Sequence, residues 1–213
     1  MKNETKKEME QMTRFNEYKA SNNILNKDGT VNYYGKILSS EEANQYFSSL
    51  MQNIQWKKDE VIIFGKHITT RRKVAWYGDS EYLYTYSNTT KRALTWTKEL
   101  SELKQIVEEY AGTKFNSCLL NLYHNGNEGM GWHSDDEKPL GKNNNTIASL
   151  SFGAERKFSF KHKQTKQTVS LVLEHGSLLI MKDATQTNWL HSLPKSKNIT
   201  QPRINLTFRT IRE

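Results

Sequence analysis

The chain has 213 residues, enough for one compact domain with a sizeable core and too few for two full domains to be the default. A net charge of +8 favours a polyanionic partner, nucleic acid first, although a membrane surface or simple solubility would give the same balance. One cysteine, Cys118, excludes an internal disulfide, and no apolar run is long enough for a signal peptide or a membrane span.

These features together describe a soluble, intracellular protein of the cytoplasm or nucleus, monomeric and without a membrane partner. Residues 1–30 are polar, of mixed charge and rich in asparagine. They read as a flexible arm that ends in the turn Asn26-Lys27-Asp28-Gly29. Residues 31–213 then form a single domain. Ser39 and Glu42 make a capping box, and Ala43, Tyr46, Phe47 and Leu50 follow at helical spacing. A second helix carries Leu100, Leu103, Val107 and Tyr110 on one stripe and stops at Gly112. Between the helices, Val61 to Tyr86 is β-branched and aromatic, with breaks at Gly65 and Gly78-Asp79, and predicts hairpins. Helices and hairpins occupy 31–112.

Residues 113–213 change character. Short strands are predicted at Ser117–His124, Thr146–Phe152, Lys157–Lys163, Thr168–Leu173, Ser177–Met181 and Pro202–Ile211, with Lys142-Asn143-Asn144-Asn145 as a loop. Strands this short and regular point to a sandwich or jelly roll, so the class is α+β, mainly β. The last of them is the most informative. In Arg203-Ile204-Asn205-Leu206-Thr207-Phe208-Arg209 the period of two sends Ile204, Leu206 and Phe208 to a core. Arg203, Asn205, Thr207 and Arg209 then face a cavity, where two guanidinium forks suit a dianion.

His133 and Asp135 point the same way from a strand or its extension, and a lone His191 lies beyond a run of strands. Two histidines and one carboxylate are the facial set that leaves positions open for non-haem Fe(II) and O₂. His-x-Asp by itself also fits a surface histidine beside an acidic turn. Asn121 and Tyr123 share one face of the preceding strand and can both donate to a carboxylate. With Arg203 and Arg209 they make a socket for a dicarboxylate beside a metal.

Taken together, Asn121-Leu122-Tyr123, His133-Ser134-Asp135-Asp136-Glu137, Ser149-Leu150-Ser151-Phe152-Gly153, His175-Gly176-Ser177-Leu178-Leu179, His191-Ser192-Leu193-Pro194 and Arg203 through Arg209 resemble the AlkB family of Fe(II)- and 2-oxoglutarate-dependent nucleic-acid dealkylases. The likeness runs from about Ile63 to Ile211 in the family's order. It implies a double-stranded β-helix, or jelly roll, flanked by N-terminal helices and a nucleotide-recognition hairpin region. It implies Fe(II) on His133, Asp135 and His191. For 2-oxoglutarate it implies Arg203 on the distal carboxylate, with Asn121, Tyr123, Asn205, Thr207 and Arg209 completing the site. The implied reaction is oxidative removal of N-methyl groups, as in 1-methyladenine and 3-methylcytosine, from alkylated DNA.

A lesion inside a stack must be flipped out or met on a single strand. Ile63-Phe64-Gly65-Lys66 and Arg71-Arg72-Lys73, followed by Tyr77-Gly78-Asp79, resemble the recognition region of the double-strand-repair branch, which makes Phe64 the wedge, with Gly65 and Lys66 beside it. Tyr84-Thr85-Tyr86 resembles the base lid, with Tyr86 opposite His133, and Asp136 would read the exocyclic amine. Core packing is the competing reading for each aromatic. Arg71, Arg72, Lys66, Lys161, Lys163, Lys195 and Lys197 are the candidate phosphate contacts. The turn Lys163-Gln164-Thr165-Lys166 is shorter than that branch's basic loop, and Lys195-Ser196-Lys197 is a thinned cluster. Single-stranded DNA and RNA therefore stay open as substrates, as does a non-catalytic nucleic-acid binder on the same fold.

Overall fold

Short β-rich runs, separated by turns, divide the chain into strands that pair almost entirely antiparallel. The computed structural model describes residues 22–63, 66–86, 89–136 and 146–212. The larger sheet has the order β1 (Thr30–Lys36), β12 (Ser177–Lys182), β9 (Ile147–Gly153), β14 (Arg203–Arg209), β7 (Ser117–Tyr123), β3 (Lys66–Gly78), β2 (Lys57–Ile63). A two-residue β6 (Leu94–Thr95) runs parallel to β3. The smaller sheet is β11 (Thr168–Leu173), β10 (Arg156–His162), β13 (Trp189–Leu193), β8 (Met130–His133). A separate hairpin joins β4 (Leu83–Tyr86) to β5 (Thr89–Arg92). The two larger sheets face each other across a cavity, the jelly-roll arrangement expected from the strand pattern.

The outer face of the larger sheet is covered by helices. In α1 (Ser40–Asn53) the capping box forms as the residues require: Glu42 N–H donates to Ser39 Oγ and Ser39 N–H to the Glu42 carboxylate. In α2 (Lys98–Ala111) the last turn closes on Gly112, whose φ of 64° is the left-handed conformation glycine adopts without strain. Ala43 and Leu50 of α1 and Leu100, Leu103 and Val107 of α2 pack on Leu120, Leu122, Leu150, Phe152, Ile204, Leu206 and Phe208. That packing fixes which face of β14 is turned inward. Ile204, Leu206 and Phe208 are fully buried under the helices, so Arg203, Asn205, Thr207 and Arg209 must face the cavity.

Residues 22–30 differ from the expected loose arm. Asn23 Oδ1 accepts from the N–H groups of Leu25 and Val31, Trp189 Nε1 donates to Lys27 O, and Leu25 is 2% exposed. Leu25 joins Val31, Ile147, Leu179 and Trp189 in a second apolar cluster. Burial of one leucine is worth about 1.5–3 kcal/mol, enough to hold this segment against β1. The predicted strands from Ser117 onward appear with shifts of a residue or so, and Pro202 lies just before β14 rather than in it. Lys142–Asn145 lies outside the described residues.

Candidate active site

Register assembles the cavity floor from four strands. Arg203 of β14 is paired with Tyr123 of β7, Asn205 with Asn121, and Asn121 in turn with Val74 of β3. On its other side β14 places Asn205 beside Ser151 and Thr207 beside Ser149 of β9. Arg203, Asn205, Thr207 and Arg209, with Asn121 and Tyr123, thus line one cavity of about 450 Å³. All six predicted residues of the dicarboxylate socket are brought together.

The facing sheet and the segment after β8 supply three side chains that could hold a metal ion. His133 at the end of β8 is paired with His191 of β13, which sets their ring centroids 4.2 Å apart. Asp135 follows β8 by two residues, and its backbone N–H is pinned by Gln186 Oε1 at 2.9 Å. One ligand atom from each of His133, Asp135 and His191 lies within 4.8 Å of the others. His133 Nδ1 lies 2.9 Å from the Gly131 carbonyl, and this contact orients Nε2 toward Asp135. Phe158 stacks on the His191 ring at 5.5 Å.

Electrostatics suit a cation at this point. Burial pushes His191 down to about 4, so its imidazole is neutral and has a lone pair to give. Burial alone would raise Asp135, but Arg209 and the two histidines outweigh it and hold the carboxyl below the usual range. Two imidazoles and one carboxylate make an N₂O donor set that fits Fe(II) and leaves positions open.

Arg203 tells what else the site is built to hold. It is 2% exposed, its Nη2 donates to Ser151 Oγ at 2.9 Å and Asn205 Oδ1 at 2.7 Å, and both partners are neutral. Its Nε has no partner, and no carboxylate pairs with it among the described residues. Burial pushes this guanidinium down to about 10, still charged at neutral pH. A buried cation without a counter-charge costs several kcal/mol, a cost that an anionic ligand relieves.

Comparison with known proteins agrees with the geometry. The family model of the 2OG-Fe(II) oxygenase superfamily matches residues 30–209. The Mus musculus DNA oxidative demethylase ALKBH2 is 39% identical over 198 residues, covering 88% of this chain and 82% of its own length. The chain belongs to the AlkB family of 2OG-Fe(II) oxygenases. The Bos taurus alpha-ketoglutarate-dependent dioxygenase alkB homolog 3 is 42% identical over 181 residues, 80% of this chain and 62% of its own length. A solved structure of OsALKBH1 aligns at a TM-score of 0.55 and 13% identity, over 80% of this chain and 91% of that one, a likeness of fold alone. As a family member the enzyme depends on Fe(II) and 2-oxoglutarate, which its donor set and its buried Arg203 accommodate.

The predicted base contacts of this AlkB-family enzyme are more dispersed. Phe64 and Gly65 lie outside the described residues. Lys66 opens β3, and Tyr84, Thr85 and Tyr86 lie in β4. Asp136 is exposed at the cavity, accepting from Ser134 Oγ at 3.0 Å. Two of the expected phosphate contacts are engaged inward. Arg72 is paired with Asp59 and lines the cavity, because its position on β3 shares the inward face with Val74 and Trp76. Lys163 donates to Gln186 O at 2.8 Å and Ser134 Oγ at 3.1 Å and sits 3.6 Å from Asp136. Arg71, Lys195 and Lys197 are exposed, and Lys161 stands 4.3 Å over the exposed Trp132 ring. Sequence reasoning missed Gln186 and Asp59, since no motif marks a lone amide or a lone aspartate.

Proposed function

We propose that the enzyme removes small N-alkyl groups, such as those of 1-methyladenine and 3-methylcytosine, from DNA. In this reading His133, Asp135 and His191 hold Fe(II), Arg203 takes the distal carboxylate of 2-oxoglutarate, and Asn121, Tyr123, Asn205, Thr207 and Arg209 complete that socket. Residues 31–213 act as one catalytic domain. The observation that carries it is the buried Arg203, without a carboxylate partner among the described residues, on the same cavity as the three candidate metal donors. The DNA substrate is supported by relatives whose names state DNA demethylation and by the chain's net charge of +8.

Bound iron supplies the O₂ chemistry that couples decarboxylation of 2-oxoglutarate to hydroxylation of the N-alkyl carbon. The protein's share is binding and orientation. Arg203 and its neighbours fix the co-substrate, Arg209 holds one Asp135 oxygen, and the apolar walls Leu119, Phe158 and Leu193 keep water from the reacting carbon. Asp136 at the rim reads the base, while Phe64 and Tyr86 serve as wedge and lid for a flipped nucleotide.

A single-strand preference is the alternative reading within this chemistry. The β10 to β11 connection is a tight turn in which Lys166 N–H returns to the His162 carbonyl at 3.1 Å. So short a turn gives little reach to an opposite strand. The test is succinate release with methylated single-stranded DNA, duplex DNA, RNA and basic peptide in parallel. Methylated DNA should be consumed by the native enzyme and spared by His133→Ala. Retained repair in that variant, or turnover with the peptide alone, would overturn the assignment.

A further inference from the structure

Three guanidinium groups line the cavity, and their surroundings differ. Arg209 donates to Asp135, and Arg72 donates to Asp59 in a pair whose side chains are 13% and 4% exposed. Only Arg203 is left without a carboxylate among the described residues. Arg72 and Arg203 line the same cavity. The Tyr123 ring, also on that lining, lies 5.7 Å from the Arg203 guanidinium.

Asp59, on the lining of the same cavity, therefore bears on a ligand held by Arg203. A cavity of about 450 Å³ leaves room for a small dicarboxylate to lie in more than one register. If Arg72 were uncompensated, a second fork would compete with Arg203 for carboxylates, or the two would together accept a longer or more highly charged acid. With Asp59 beside it, Arg72 offers no net charge. Met130 Sδ, 3.4 Å from Arg72 Nη1, helps to keep the guanidinium in that pairing.

We propose that Asp59 is a specificity-determining residue: by neutralising Arg72 it leaves Arg203 as the one cavity-lining guanidinium without a carboxylate partner among the described residues, which selects 2-oxoglutarate in a single register over tricarboxylates. The inference rests on the reading that Arg203 receives 2-oxoglutarate.

The experiment is calorimetric titration of the full chain, loaded with redox-inert Mn(II), with 2-oxoglutarate and with citrate. Asp59→Asn is expected to bind citrate about tenfold more tightly than wild type, while 2-oxoglutarate affinity stays within about threefold. Adding Arg72→Gln to that variant should return citrate binding to the wild-type level and keep 2-oxoglutarate binding. Unchanged citrate affinity in a folded Asp59→Asn protein overturns the proposal. So does a double variant that loses 2-oxoglutarate, since Arg72 would then be a direct ligand. If Asp59→Asn does not fold, Arg72→Gln alone decides. It leaves the Asp59 charge facing the ligand, so 2-oxoglutarate should weaken about tenfold, and unchanged affinity refutes the idea. Undiminished 2-oxoglutarate binding in Arg203→Gln would instead show that the parent reading has failed.

Discussion

Arg209 Nη2 lies 3.0 Å from Asp135 Oδ2, which ties the last residue of the alternating strand to the carboxylate of the metal-binding set. One Asp135 oxygen is thereby occupied, and the other, 3.8 Å from His133 Nε2, is left to face an ion. Arg209→Met should free the carboxylate to turn, raise its pKa and weaken Fe(II) binding about 10- to 100-fold. Anaerobic titration with Fe(II) measures this directly, and an unchanged dissociation constant would show that Arg209 does not orient the ligand.

Gln186 acts on the same carboxylate from the backbone side. Its Oε1 accepts from the buried Asp135 N–H, while its amide nitrogen lies 3.3 Å from Met181 Sδ. Gln186→Leu strands that N–H without an acceptor and should cost about 1–3 kcal/mol of stability in urea unfolding. Metal affinity should fall with it, because the backbone at Asp135 is then free to shift. A variant as stable as wild type would mean that another acceptor replaces the amide.

The parts of this site legible in the sequence are those encoded locally. A period of two specified the floor through Arg203, Asn205, Thr207 and Arg209, and the spacing of His133 and Asp135 placed both donors on one side. The capping box at Ser39 and the stop at Gly112 were equally local. Side-chain pairings between different elements were not readable. Asp59 with Arg72 and Gln186 with Asp135 depend on which strands meet, and Arg72 looked like one more surface cation. β1 was hidden for a related reason: its Tyr33-Tyr34-Gly35 run, next to an asparagine-rich segment, has no clear alternation until β12 provides an edge.

Arg203 should be costly to the empty protein and useful to the loaded one. Replacing it with Met removes a buried charge that has only neutral partners among the described residues. The variant should be more stable than wild type by about 1 kcal/mol in the absence of co-substrate. Its melting temperature should then no longer rise when 2-oxoglutarate is added. Thermal unfolding with and without 2-oxoglutarate reads both effects. A retained ligand-induced shift would remove Arg203 from the socket.

His175 makes stability depend on pH away from the metal. Gly153 N–H donates to its Nδ1 at 2.9 Å, and its Nε2 faces Asn44 Oδ1 at 3.1 Å, an arrangement that suits the neutral ring with its proton on Nε2. A second proton would set two donors against each other. Burial, and then the charge of Lys36, lower its pKa below the ordinary 6.5 against a weaker opposing pull from Glu155. The unfolded chain therefore takes up the proton first as pH falls, so it binds more protons than the folded chain between 6.5 and the lower folded value. The stability that His175 contributes is complete above 6.5 and is lost as pH falls through that window. Urea unfolding of wild type and His175→Asn should show a gap in free energy that narrows as the pH is taken from about 7.5 to about 5. A gap that stays constant across that range would mean the histidine keeps its contacts in either protonation state.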